Sequence, residues 1–366
     1  MKKLMMLAAI VSVALTSCTK DEPSGATQPE AISFEVGVHQ NTTRANSEFD
    51  TGIQFGTYAY HSTTEAGHAS VIYMNNVEIG YNDAVWQAVE GNYYWPKGNL
   101  DFVSYAPYGH TYQPTISGTD YTTLTYTGVD VSSVAGQTDL LYSDKAENFT
   151  ANEIAANNGS GFGIGGYGFN GVPTLFHHAL AKVSLKVKAL YTTDGATPAT
   201  TWTTKIKSIT LKDIYSSGNL VMTTTNNYST GTRTWAKPAG NVWAKDGNKT
   251  DKTWSVVPAG QTLTTDYVAY DVASNYYVLP QALETGVQKI VINYTIETDP
   301  VGGNNVITEH TYEMDLQNIA GAIASWQMGQ SIVYNISIDP KGEEILFAPA
   351  LENWDVVNSG DIQVKP

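Results

Sequence analysis

The chain has 366 residues, with 20 Lys and Arg against 35 Asp and Glu, and a formal net charge of -15. This length is sufficient for two domains with substantial cores. The acidic excess argues against nucleic acids and anionic lipid surfaces as partners, because both attract cationic side chains. Charged residues make up only 15% of the chain, while Thr, Tyr, Gly and Asn are abundant, which is typical of extracellular β-rich proteins.

Residues 1–17 have the pattern of a secretory signal peptide. Lys2 and Lys3 precede an apolar run, Leu4 to Leu15, which is too short to span a bilayer comfortably. It ends in Leu15-Thr16-Ser17-Cys18, which resembles a bacterial lipobox, and Cys18 is the only cysteine in the chain. We therefore expect Cys18 to carry fatty acyl chains such as palmitate and to anchor the protein in the outer membrane.

A polar tether and one amphipathic strand follow. Residues 19–30 are polar and predict a flexible linker. Residues 32–38 alternate with the period of a half-buried strand, and the side chains on its apolar face are Ile32, Phe34, Val36 and Val38. Residues 40–50 predict an exposed loop. This loop contains Arg44, and the only other arginine is Arg233.

Short strands separated by turn residues are predicted along the rest of the chain. Lys182–Leu190 has the clearest alternation, with one apolar and one basic face. The other predicted strands are Gln54–Tyr60, Ser70–Asn75, Ala84–Gln87, Tyr93–Pro96, Leu100–Tyr105, Ile206–Leu211, Tyr276–Leu279, Lys289–Glu297, Glu309–Leu316, Ile332–Ile338 and Ile345–Ala348. This pattern predicts an all-β protein with two β-sandwiches. We place the boundary near residue 172, with the second set of strands starting at Thr174, and expect a short helix or loop within Thr138–Phe149.

Three motifs resemble nucleotide-binding, protease or metal-binding sites, but each is better explained by a structural role. Gly161–Gly166 has the spacing of a dinucleotide fingerprint but lacks a following helix. Asp50-Thr51-Gly52 resembles an aspartic-protease tripeptide, but no second copy is present. His177 and His178 would point to opposite faces of a strand, so we expect one buried and one exposed histidine. We therefore expect no enzymatic activity, no cofactor and no metal.

The aromatic residues leave two interpretations open. Most tryptophans lie in or beside predicted strands, where aromatic side chains usually fill a core. Trp235, Trp243 and Trp254 lie in a Thr- and Asn-rich region and are alternatively a platform for stacking glycans. If they form such a platform, the chain is a surface lipoprotein that binds glycans or host molecules and does not polymerise.

The chain resembles the fimbrillin (Mfa-like or FimA-like) subunits of type V pili from Gram-negative anaerobes. The resemblance rests on several motifs in order and spacing, in addition to the lipobox, the first strand and Arg44. They are Trp86, Tyr94-Trp95-Pro96, Leu100–Pro107, Asp139-Leu140-Leu141, Phe176–Val183, Leu279-Pro280-Gln281, Trp326–Gln330, Tyr334-Asn335-Ile336, Ile345-Leu346-Phe347 and Trp354.

The resemblance implies two tandem transthyretin-like β-sandwiches, at residues 45–172 and 173–366, and assembly into a cell-surface pilus that supports adhesion. Residues 18–44 would be a lipidated tether and removable strand. A trypsin-like or Arg-specific protease would cut between Arg44 and Ala45.

Removal of the first strand would open a groove for a C-terminal donor strand of a neighbouring subunit, within about 343–366. The donor side chains would be Ile345, Phe347, Trp354, Val356, Ile362 and Val364. We expect the removed segment to be an edge strand, since a lost edge strand exposes unpaired backbone groups. A host molecule or glycan is the candidate adhesion ligand.

Overall fold

The computed structural model describes residues 30–38, 47–62, 71–117, 123–133, 137–151, 171–223, 242–255, 260–270, 276–319, 323–341 and 344–352. It confirms the predicted all-β class. The strands of the first half are β1 Phe34–Val38, β2 Ser47–Glu48, β3 Phe55–Ser62, β4 Val71–Asn82, β5 Val85–Ala88, β6 Asn99–Ala106, β7 Thr115–Ser117, β8 Thr123–Asp130, β9 Leu141–Ser143, β10 Ala146–Phe149 and β11 Val172–His178. Segment Thr138–Phe149 therefore holds two strands, β9 and β10, rather than the expected helix or loop.

The second half is also built from strands. They are β12 Ala181–Ala189, β13 Thr201–Tyr215, β14 Ser217–Thr223, β15 Val242–Lys245, β16 Lys249–Ser255, β17 Gln261–Thr262, β18 Val268–Ala269, β19 Tyr276–Val278, β20 Gln281–Ala282, β21 Lys289–Asp299, β22 Val306–Asp315, β23 Ser325–Trp326, β24 Ser331–Asp339 and β25 Glu344–Glu352. A 3₁₀ turn covers Leu316–Asn318.

Nine strands of the first half form sheet A. Their order is β10-β6-β3-β4-β5-β1-β11-β9, with β2 paired to β1. The sheet closes on itself because β9 also pairs with β6, through Tyr142 opposite Tyr105 and Leu141 opposite Ala106. Side chains from β1, β3, β5, β6 and β11 share one apolar core. The first strand of the chain is therefore built into a closed sheet.

Four strands from both halves form sheet B, in the order β15-β14-β8-β7. Its Tyr126 and Trp243 share an apolar cluster with Tyr105 of sheet A. The chain leaves sheet A after β11 and enters the next sheet at β12. Thr174 therefore lies on β11 in sheet A, not in the second set of strands, because β11 pairs with β1. The division into two tandem domains at residue 172 remains a prediction.

Two further sheets pack face to face in the second half. Sheet C has the order β18-β12-β24-β25, and sheet D the order β16-β13-β21-β22. Inward side chains such as Leu185 of sheet C and Ile209 of sheet D belong to one core, which is the arrangement of a β-sandwich. On β12 the apolar residues of the predicted face are buried and the lysines between them are partly exposed, as the alternation predicted.

Buried and partly buried polar contacts join the two halves. Gln137 Nε2 donates hydrogen bonds to the carbonyls of Val131 at 2.9 Å and Tyr277 at 3.1 Å. Lys252 of sheet D is fully buried, and its ammonium donates to the same Val131 carbonyl. Burial lowers the pKa of Lys252 to about 8, and the charge of Asp130 partly opposes this shift. These contacts connect the end of β8 to the second half of the chain.

Candidate functional site

The first strand fills the core of sheet A. Ile32, Phe34, Val36 and Val38 expose only 4%, 3%, 7% and 0% of their surface, and all four belong to one apolar cluster. Their alternation is the one predicted from the sequence. Burial of a large apolar side chain contributes about 1.5–3 kcal/mol. The loss of β1 would therefore leave an apolar groove in the sheet.

Phe34 makes the aromatic contacts of this strand. Its ring centroid lies 5.6 Å from that of Phe55 and 5.7 Å from that of Phe102, both edge to face. Phe55 belongs to β3 and Phe102 to β6, so neither strand is a hydrogen-bonded neighbour of β1. Such pairs contribute about 0.5–1.5 kcal/mol each beyond burial. Phe34 therefore fixes β1 against the opposite side of the closed sheet.

The backbone of β1 is paired along its whole length on one side. It runs parallel to β11 over five residues, from Phe34 opposite Val172 to Val38 opposite Phe176. The N–H of Val172 donates to the Ser33 carbonyl at 2.7 Å. All residues of β11 are buried. Contrary to our expectation, β1 is an internal strand and not an edge strand, because the closed sheet places partners on both of its sides.

The second side of β1 is paired in short pieces. Strand β5 meets it only at Phe34, opposite Trp86, and β2 meets it at Gly37 and Val38. Upstream of β1, the N–H of Ile32 donates to the Tyr93 carbonyl at 2.8 Å. We call the space that β1 occupies between β11 and these partners the slot. Among the described residues, backbone pairing in the slot is continuous along β11, whereas the other side is paired at Phe34 by β5 and at Gly37 and Val38 by β2.

Gly171 allows β1 to approach β11 closely. A Cβ atom at this position would lie 2.7 Å from the Phe34 nitrogen and 2.7 Å from the carbonyl carbon and oxygen of Ser33. These are backbone atoms, so a side chain at residue 171 requires β1 to move. No pattern in the sequence indicated this role, since Gly171 is one of many glycines in and beside the glycine-rich segment.

The two histidines at the end of β11 are both buried, and the prediction of one exposed histidine was wrong. His178 Nδ1 lies 2.6 Å from Asp139 Oδ2, and His177 Nε2 lies 2.9 Å from Asp144 Oδ2. Both carboxylates are buried as well. His177 also stacks on Tyr142, with 5.4 Å between ring centroids. Each imidazole has its own carboxylate because the residues flanking β9 place one acid beside each.

Several predicted site residues lie outside the described residues. They are Cys18, Arg44, Ala45, Trp354, Val356, Ile362 and Val364. Of the predicted donor side chains, Ile345 and Phe347 lie on β25. That strand pairs with β24 over nine residues, from Glu344 to Glu352. Ile345 is buried in the core of the C and D sheets, and Phe347 packs against it.

The remaining candidate motifs either have a structural role or lie outside the described residues. Asp50 begins a turn, with its Oδ1 accepting from the Gly52 N–H at 2.8 Å. Trp243 is buried and donates to the Ala179 carbonyl at 2.7 Å, so it is not available for stacking a glycan. Residues 161–166 and Trp235 lie outside the described residues, as does the side chain of Trp254. Among those described, no group of three or more His, Cys, Asp or Glu could hold a metal ion.

Within the described ranges, the structure contains no helix with the length and hydropathy of a membrane span.

Substitution of Gly171 by Ala tests the close contact between β1 and β11. We expect Gly171→Ala to lower the free energy of unfolding of the uncut chain by about 1–3 kcal/mol, since the added Cβ forces the backbone of β1 away. Urea denaturation followed by tryptophan fluorescence measures this change. Gly52→Ala is the control, because its nearest contact is a side-chain atom at 3.2 Å. Equal unfolding midpoints for both variants would contradict the contact.

Comparison with solved structures supports the fold. A fimbrial protein from Bacteroides vulgatus is 18% identical, with a TM-score of 0.55, and the alignment covers 88% of this chain and 99% of that chain. The fimbrial anchor protein Mfa2 from Porphyromonas gingivalis is 10% identical over 89% of this chain and 98% of its own. The TM-score of this match is 0.31. No curated protein matches the sequence.

The sequence itself decides the family. The profile of the fimbrillin-like proteins matches residues 43–354, which is most of the chain. This range includes β2 to β25 and ends at Trp354, within the predicted donor segment 343–366. The chain therefore belongs to the fimbrillin-like family of fimbrial, cell-surface proteins.

Proposed function

We propose that this chain is a structural subunit of a cell-surface pilus that is exported as a lipoprotein and polymerises by strand exchange after β1 is removed. The observation that carries the proposal is the way β1 is held. Three of its side chains, Phe34, Val36 and Val38, complete the core of sheet A together with Ile32 just upstream. Among the described residues, its second side is paired at Phe34 by β5 and at Gly37 and Val38 by β2. A strand held in this way is essential to the sheet and also replaceable.

One proteolytic cut has two consequences in this scheme. Acyl chains on Cys18 hold the precursor in the outer membrane, and a trypsin-like or Arg-specific protease cuts between Arg44 and Ala45. The cut lies between β1, which ends at Val38, and β2, which begins at Ser47. It therefore separates the subunit from its lipid and leaves β1 bound only by non-covalent contacts.

The physical chemistry of the empty slot favours a new strand. Departure of β1 leaves the side of β11 that faces β1 without its partner from Val172 to Phe176, beside an apolar groove. An incoming strand restores the backbone pairing by β-augmentation. Four large apolar side chains give a gross gain of roughly 6–12 kcal/mol, before the costs of ordering the chain are subtracted. A slot on one subunit and a donor on the next make a contact that does not close, so the assembly grows as a filament.

We propose that the donor lies within residues 343–366. Its first part, β25, is paired with β24 over nine residues, and Ile345 is buried in its own sandwich. If Ile345 and Phe347 enter a neighbour's slot, β25 must first separate from β24. The remaining donor side chains are Trp354, Val356, Ile362 and Val364. A host molecule or a glycan is the proposed adhesion ligand of the assembled pilus.

Substitution of Arg44 tests the processing step. We expect trypsin to cut the purified chain early at Arg44 and to produce ladders of polymers on a gel. Arg44→Ala should abolish the early cut and the ladders, because β1 then stays covalently attached. Arg233→Ala is the matched control, since Arg233 is the only other arginine, and it should polymerise normally. Polymerisation of Arg44→Ala would contradict the proposed scheme. If the unmodified chain is cut at Arg44 but forms no polymers, a non-polymerising surface lipoprotein is favoured.

Truncation of the C-terminus tests the donor segment. A chain that ends at Glu352 lacks Trp354, Val356, Ile362 and Val364 but keeps its own slot. We expect it to be cut at Arg44 and to form no ladders alone, and to shorten the ladders of the full chain by capping them. Lys365→Ala is the control and should leave ladder length unchanged. Ladders of normal length from the truncated chain would show that residues 353–366 are not the donor.

A further inference from the structure

Strand β2 lies on the subunit's side of the proposed cut and borders the slot. Its two residues pair with the C-terminal end of β1, with Glu48 opposite Gly37 and Ser47 opposite Val38. The proposed cut after Arg44 lies upstream of Ser47. Ser47 and Glu48 would therefore follow closely on the new N-terminus of the mature subunit, and they pair at one end of the slot.

Phe49 anchors β2 to strands that do not leave. Its ring stacks on Phe176 of β11, with centroids 4.9 Å apart. It also meets Trp86 of β5 at 5.5 Å and Phe55 of β3 at 6.3 Å. The ring is only 4% exposed. Since these aromatic contacts are with β3, β5 and β11, the loss of β1 leaves them in place.

A turn next to Phe49 fixes the chain on its other side. The N–H of Ile53 donates to the Asp50 carbonyl at 3.0 Å, and Ile53 is buried. The N–H of Gly52 donates to Asp50 Oδ1 at 2.8 Å. The backbone that follows β2 is therefore held by one buried ring and one hydrogen-bonded turn.

β2 also provides backbone pairing on the side of the slot opposite β11. Strand β11 pairs with all five residues of β1. On the opposite side, β5 pairs only at Phe34, while Gly37 and Val38 pair with β2. Within the described residues, β2 is thus the strand that pairs with the C-terminal half of the slot's occupant on that side.

We propose that β2 and Phe49 form a clamp that closes on the strand of a second copy when that strand takes the place of β1. The clamp pairs with the two backbone positions that Gly37 and Val38 vacate, so that the processed N-terminus is part of the polymerisation site. This inference rests on the proposed function. It implies that the clamp governs how long any strand stays in the slot, including β1 itself after the cut.

The released fragment provides the test. The purified chain is cut with trypsin, and the rate at which the fragment ending at Arg44 leaves is followed by native mass spectrometry. In Ser47→Pro/Glu48→Pro the clamp loses its backbone donors, and we expect release about tenfold faster. Ser47→Ala/Glu48→Ala keeps those donors and should release the fragment within about twofold of the unmodified chain.

A second variant tests the anchor. Phe49→Leu keeps an apolar side chain but removes the ring contacts with Phe176 and Trp86, and it should also speed release. Equal release from the double-proline and double-alanine chains, with normal polymers from the unmodified chain, would overturn the clamp and leave the proposed function standing. If trypsin does not release β1 from the unmodified chain and no polymers form, the proposed function is overturned and the clamp with it.

Discussion

The packing of β1 into sheet A is the interaction on which the rest of this structure depends. Phe34 reaches across the closed sheet to Phe55 and Phe102, and Ile32, Val36 and Val38 fill the same core. Without these side chains the first half of the molecule has an incomplete core. The sheet therefore needs a strand at this position, but its contacts are those that any apolar strand of suitable size could provide.

The backbone explains how such a strand can be both necessary and exchangeable. β11 offers a continuous parallel partner, whereas the second side is supplied in pieces by β5, by β2 and, upstream, by Tyr93. The link between β1 and the body of the protein runs through the residues around Arg44. In the proposed scheme a single cut there converts an intramolecular strand into a bound peptide, and the filament grows because a neighbouring strand replaces it.

The sequence predicted the elements whose alternation is simple. The apolar face of β1 and the two faces of β12 followed from period-two patterns, because each strand has one buried face. The internal position of β1 did not follow, since it depends on a parallel partner more than 130 residues away, β11. The burial of both histidines was missed because Asp139 and Asp144 approach from the ends of β9, and local alternation does not report partners on other segments. Sheet B was missed because its strands lie in Thr- and Asn-rich stretches with weak periodicity.

Hydrogen exchange along β11 tests most directly the claim that β1 is an exchangeable strand, because β11 is the strand that pairs with β1 along its whole length. In the uncut chain the amides of β11 that face β1, beginning with Val172, are bonded and should exchange slowly. After the cut at Arg44 and release of β1 they should exchange rapidly, and in the polymer they should be protected again. If their protection is unchanged when β1 has left, the slot is not held by β1 and the account of strand exchange is wrong.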